Sequence, residues 1–144
     1  MSRIEEALSS FKEDFSCAQS IFATYAPHYG LDRDKALKIS TGFGGGMARS
    51  GRTCGAVTGS YMVIGLKNGM GVSKDIEMKE KTYQVISEFS KQFHEKNGSL
   101  ICKELLGCDI NTTEGMDYFN QNELFEKKCL QCVKNAVEIL EKML

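Results

Sequence analysis

The side chains best suited to chemistry in this chain of 144 residues are its six cysteines: Cys17, Cys54, Cys102, Cys108, Cys129 and Cys132. The most telling context is that of Cys54. A glycine-rich stretch from Gly42 to Thr53, containing Gly44, Gly45 and Gly46, runs into it, and small residues from Gly55 to Gly59 follow. This pattern sets Cys54 at a helix N-terminus, where unpaired backbone N–H groups and the helix dipole favour thiolate over thiol. Cys17 and Cys102 are expected in the same setting, in or beside the first turn of a helix. The chemistry indicated is that of anionic sulfur: metal ligation, disulfide exchange or electron transfer through a cysteine-held centre.

Two sets of four sulfurs can be drawn. Cys17, Cys54, Cys102 and Cys129 lie too far apart for any local motif, so only the fold could bring them together. Cys102, Cys108, Cys129 and Cys132 read as C-x5-C followed by C-x2-C, a superficial likeness to a structural zinc site. Against the second set, the x5 spacing is irregular and the C-x2-C falls in a strongly helical context. Cys129 shares a face with Val133, Ala136, Val137 and Leu140 and is expected to point inward. Cys132 falls on the adjoining row with Ala136, Ile139 and Met143, offset by about 100°, and Cys108 is expected in a loop. Any one cysteine, taken alone, can equally be a small buried hydrophobe. Spacing leaves both sets open.

The elements that must position these thiols read as helices almost throughout. Ile4, Leu8 and Phe11 mark a first helix, with a break near Asp14. Ser16 is placed to cap a second helix carrying Ala18, Ile21, Phe22 and Tyr25, which Pro27 and Gly30 close. Asp32 caps a short third with Ala36, Leu37 and Ile39. The fourth is expected from near Thr53 to about Asn68, with Gly55 and Gly59 leaving a smooth strip open to another backbone or a bulky group. A long amphipathic helix follows Ser73 or Asp75, with Ile76, Tyr83, Ile86, Phe89 and Phe93 as its buried stripe. Ser99 caps a short helix with Cys102, Leu105 and Leu106. Residues 107–122 read as a polar loop, and a helix from about Glu123 to Leu144 closes the chain. No strand alternation is present, so the expected fold is all-α, a single-domain bundle of about six to seven helices over residues 1–144.

Composition bounds the function. A formal charge of −1 with interspersed Lys and Glu gives no basic stripe for nucleic acid. The longest strongly apolar run, Tyr61 to Leu66, is far too short to cross a bilayer, and no apolar stretch follows the first residues as a secretory signal would require. A cytoplasmic protein is expected, where cysteines serve metal binding or redox chemistry more readily than a disulfide framework. The glycine loop lacks the Gly-Lys-Ser/Thr ending of a phosphate loop. His28 and His94 show no paired spacing, and Arg49 and Arg52 flank the loop as solvated side chains or as steadying charges for an anion.

Ser16-Cys17-Ala18-Gln19, the Tyr29-Gly30-Leu31 turn, Thr41 to Met47, Cys54 to Gly59, Ser99 to Gly107, and Cys129 ahead of Val133 and Ala136 to Leu140 recur in one order. In that combination, from about Phe11 onward, the chain resembles the C_GCAxxG_C_C family of redox-active proteins. The resemblance implies that Cys17, Cys54, Cys102 and Cys129 act together, leaving Cys108 and Cys132 as structural or resolving thiols. The same cysteine-bearing domain is similar to part of the split-Soret cytochromes, which implies an iron–sulfur cluster, with [2Fe–2S] favoured. Four thiolates are what such a cluster takes, and amides of Gly44, Gly45 and Gly46 are candidates to donate to sulfur, with Gly55 and Gly59 supporting the packing. The alternatives are a metal-free thiol–disulfide protein, pairing Cys17 with Cys54 or Cys102 with Cys129, and a zinc-stabilised or metal-free interaction module. Val133 after Cys132 breaks the C-x-x-C-H needed for covalent haem. An unnamed redox partner is implied, and a homodimer is compatible with the pattern.

Overall fold

Capping chemistry sets where the first helices begin. In the computed structural model, which describes residues 1–144, Ser2 and Ser16 each form a reciprocal capping box, with Glu5 and Gln19 respectively. Asp32 accepts from Lys35 N–H at the start of a third helix. These fix α1 (Arg3–Lys12), α2 (Cys17–Tyr25) and α3 (Arg33–Ser40). Pro27 turns the end of α2 into a 3₁₀ segment, Ala26–Tyr29, closed by Gly30 in the left-handed region. The rest are α4 (Gly55–Asn68), α5 (Ile76–Asn97), α6 (Cys102–Leu106), α7 (Thr113–Gln121) and α8 (Leu130–Met143), with a π-helical turn, Phe125–Cys129, leading into α8. The fold is all-α, with no strand and one isolated antiparallel bridge, Thr53 to Ile101.

The main core joins Phe11 of α1, Ile21, Phe22 and Tyr25 of α2, Val57, Val63 and Ile64 of α4, Phe89 and Phe93 of α5, and Val133 to Leu140 of α8. A satellite of four residues, Cys102, Leu106, Ile110 and Leu124, sits under α7. The most extensive helix–helix packing is that of α2 on α4. A Cβ at Gly59 would lie 2.9 Å from the Ala18 carbonyl oxygen, and one at Gly55 the same distance from the Ala18 nitrogen. The smooth strip on α4 therefore receives another backbone, that of α2.

Three expectations need correction. Residues 107–122 are not all loop, because Thr112 caps α7 by accepting from Gly115 N–H, and Met116 and Phe119 pack on the satellite core. Ile76 and Tyr83 are not in the buried stripe of α5; they are 56% and 55% exposed. Thr82, seven residues before Phe89, shares its face, whereas Tyr83 is turned about 120° away from Phe89, so the buried positions are Thr82, Phe89 and Phe93. Ile39 of α3 likewise faces out.

The close packing of α2 on α4 gives a direct prediction. Gly59→Val should destabilise the fold by about 1–3 kcal/mol through overpacking. Gly65→Ala, on the same helix with nothing within 4 Å, should be neutral or gain up to about 1 kcal/mol of helix propensity. Urea denaturation midpoints compare the two.

Candidate functional site

Three cysteines stand at helix starts. The Ser16–Gln19 capping box makes Cys17 the first residue of α2, and the Gln19 amide also donates to Leu37 O and Thr41 Oγ1 at 3.1 and 3.2 Å. Cys54 is the N-cap of α4 and Cys102 the first residue of α6. Backbone bonds hold these two starts side by side: Cys54 N–H to Leu100 O at 2.8 Å, Cys102 N–H to Arg52 O at 2.6 Å, and Lys103 N–H to Gly51 O at 3.0 Å. Ser99 accepts from Ile101 N–H, and Ile101 is the N-cap of α6, two residues later than the expected cap at Ser99. Cys129 ends the π-helical turn, and its carbonyl receives a long contact from Cys17 Sγ at 3.9 Å. Such turns relieve an extra residue within a helix and are frequent at functional sites.

The glycine loop is wound left-handed. Gly45, Gly46, Met47, Ala48 and Arg49 all have φ between +52° and +72°, a conformation that costs each non-glycine residue about 1–2 kcal/mol. Offsetting bonds run from Arg49 N–H to Gly44 O, Gly51 N–H to Gly45 O and Arg52 N–H to Gly46 O, at 2.9–3.1 Å. Gly46 has no alternative, since a Cβ there would come within 2.7 Å of both Arg52 N and Cys102 Cβ. Gly44 N–H is committed to Thr41 O and so is not free for a sulfur.

These elements border an open-mouthed cavity of about 910 Å³ lined by Cys17, Cys54, Cys102, Cys129 and Cys132. Gly44, Gly45, Gly46 and Gly55 contribute backbone to its wall, and Leu105, Leu106, Ile110, Met116, Phe119 and Phe125 its apolar side. Asp14, Arg49, Asn120 and Glu126 stand exposed along it. Cys108 does not line it, so the zinc-like set of Cys102, Cys108, Cys129 and Cys132 is not assembled there. Cys132, outside the fold-assembled set, is brought in because α8 is buried over a wide arc from Cys132 and Val133 to Ile139 and Leu140. Its i, i+3 relation to Cys129 was the available signal. No three Cys, His, Asp or Glu side chains close on one point tightly enough to hold a single metal ion.

A family profile described as "Putative redox-active protein (C_GCAxxG_C_C)" matches residues 15–143. The chain belongs to the C_GCAxxG_C_C family. An uncharacterised protein of Archaeoglobus fulgidus is 27% identical over 140 residues, covering 92% of this chain and 87% of that one. No solved structure matches. The family label spells Gly-Cys-Ala-x-x-Gly where this member has Cys54-Gly55-Ala56-Val57-Thr58-Gly59. At position 55 the approach of Ala18 excludes a side chain, and the thiol stands one residue earlier.

Electrostatics separates the thiols of this C_GCAxxG_C_C protein, although three share a helix-start position. Cys54 is held well below the usual thiol range by hydrogen bonding from the Cys132 thiol, then from Cys17, with help from the N–H groups of Ala56 and Val57. Cys17 is pushed well up by its hydrogen bonds with Cys129 and Cys54 and by burial. Burial, followed by the charges of Cys54 and Cys129, pushes Cys102 up to about 12. Cys132 is raised through its hydrogen bond to Cys54 and by burial. The expectation of three activated thiols is thus corrected to one: once Cys54 is anionic, its neighbours resist ionising.

In metal-free protein, iodoacetamide should therefore modify Cys54 ahead of Cys102 at neutral pH. A depressed pKa keeps thiolate present below the ordinary thiol range, so the Cys54 rate should persist as pH falls from 9 to 7. The Cys102 rate should keep climbing towards about pH 12. Peptide mass spectrometry over a pH series reads both.

Proposed function

We propose that this chain is a redox protein holding an iron–sulfur centre, in [2Fe–2S] form, on Cys17, Cys54, Cys102 and Cys129, and exchanging electrons with a protein partner. The observation that carries this reading is the convergence of those four thiols, from four separate elements, on one cavity, three of them at helix starts. The donor set fits: five cysteines line the cavity, no histidine does, and four cysteines are the usual complement of such a centre. The thiols surround a space instead of closing on a point, an arrangement suited to a polynuclear centre over one zinc ion.

When bound, the centre would supply one-electron transfer. The chain's own contribution is to hold and shield it. The helix starts of α2, α4 and α6 offset negative charge on sulfur, and the nearby glycine backbone tunes potential through its dipoles. Leu105, Leu106, Ile110 and Phe125 keep water from the inner wall. The exposed edge with Arg49, Asn120 and Glu126 is where a partner would approach. Six free thiols suit a reducing, cytoplasmic compartment.

Anaerobic purification, reconstitution with iron and sulfide, and assay of iron and acid-labile sulfide test the proposal. Wild-type protein should retain both with a visible chromophore. Cys54→Ser should lose the chromophore, whereas Cys108→Ser should keep it, since Cys108 lies off the cavity. Protein that retains neither iron nor sulfide after reconstitution would sink the reading.

A further inference from the structure

The cavity holds one thiol more than a four-cysteine centre uses. Cys132 projects from α8 into the same wall as Cys54 at the start of α4. Both are 6% exposed and belong to one buried core cluster, and α4 packs on α8. Each of these two thiols is the largest influence on the other's ionisation. Cys108, the other surplus thiol, is away from the cavity.

We propose that Cys54 and Cys132 form a dithiol–disulfide couple in the metal-free chain, closed by low-molecular-weight disulfides, and that the closed form blocks loading of the redox centre. The blocking step rests on the iron–sulfur reading; the couple itself does not. The sulfur of Cys54, as thiolate, attacks one sulfur of R–S–S–R, forming Cys54–S–S–R and expelling RS⁻. Cys132 then attacks the Cys54 sulfur, forming the Cys54–Cys132 bond and expelling a second RS⁻. The two protons lost by the cysteines go to the two expelled thiolates. Two electrons pass from the protein sulfurs to the reagent, which is reduced to two RSH. Closure takes Cys54 out of the ligand set, and an added thiol reverses it by the same route.

The experiment treats reduced, metal-free protein with 2-hydroxyethyl disulfide, alkylates the remaining thiols and maps peptides by mass spectrometry. The expected product has Cys54 and Cys132 linked, with Cys17, Cys102 and Cys129 alkylated. Cys132→Ser and Cys132→Ala should stop at the mixed disulfide on Cys54. A link between any other pair, or mixed disulfide alone in the wild type, overturns the couple. Wild-type protein closed in this way should take up iron and sulfide only after reduction. Equal loading of closed and reduced wild type overturns the block. If no chromophore forms under any condition, the iron–sulfur reading and the block fall together, and the peptide map alone decides the couple.

Discussion

The fold depends on main chain meeting main chain. Where α2 crosses α4, the peptide groups around Ala18 lie against Gly55 and Gly59 with no room for a Cβ. That approach sets Cys17 beside Cys54, puts both helix starts at one end of the core, and leaves α8 free to close over them from the other side. Apolar burial supplies most of the driving force for such a bundle. The register of the thiols, however, comes from two glycines that have nothing to bury. The antiparallel bridge from Thr53 to Ile101 then adds Cys102 to the same end, using backbone hydrogen bonds alone.

Electrostatic consequences follow from crowding. Five thiols around one cavity compete for the same positive potential, and burial penalises each charge taken from water. The one best placed wins, and Cys54 has the N–H groups of a 14-residue helix as well as two neighbouring thiols turned towards it. Cys102 occupies a similar place on a five-residue helix, yet burial and the charges of Cys54 and Cys129 weigh against its ionising. Position at a helix start is thus a permissive condition whose effect depends on what else shares the space.

Much of this was legible in the sequence. Capping residues Ser16 and Asp32, the stop at Gly30, and the change from glycine-rich loop to apolar helix at Cys54 are local signals, and the structure follows them. Less legible features depend on tertiary context. Met116 and Phe119 look like isolated apolar residues in a polar stretch until the satellite core gives them a partner. Tyr83 is linked to Phe89 by two steps of three through Ile86, but those steps accumulate to a turn of about 120°, and the packed face runs through Thr82 instead. The left-handed turn from Gly45 to Arg49 includes Met47 and Ala48, residue types that carry no sign of positive φ. Cys132 falls on a row beside that of Cys129, and only the packing of α8 shows that burial extends to that row as well.

The contact between Cys17 and the Cys129 carbonyl spans 112 positions of the chain. During synthesis the first cysteine leaves the ribosome long before the last, and Cys54 and Cys102 emerge between them. No fragment ending before the π-helical turn contains the whole cavity wall. Its assembly is consequently among the final events of folding, when loop closure over most of the chain has been accomplished. Any occupant must be delivered to a finished protein, and a nascent chain stalled short of α8 would expose five unprotected thiols, Cys17, Cys54, Cys102, Cys108 and Cys129, to whatever reagents it met.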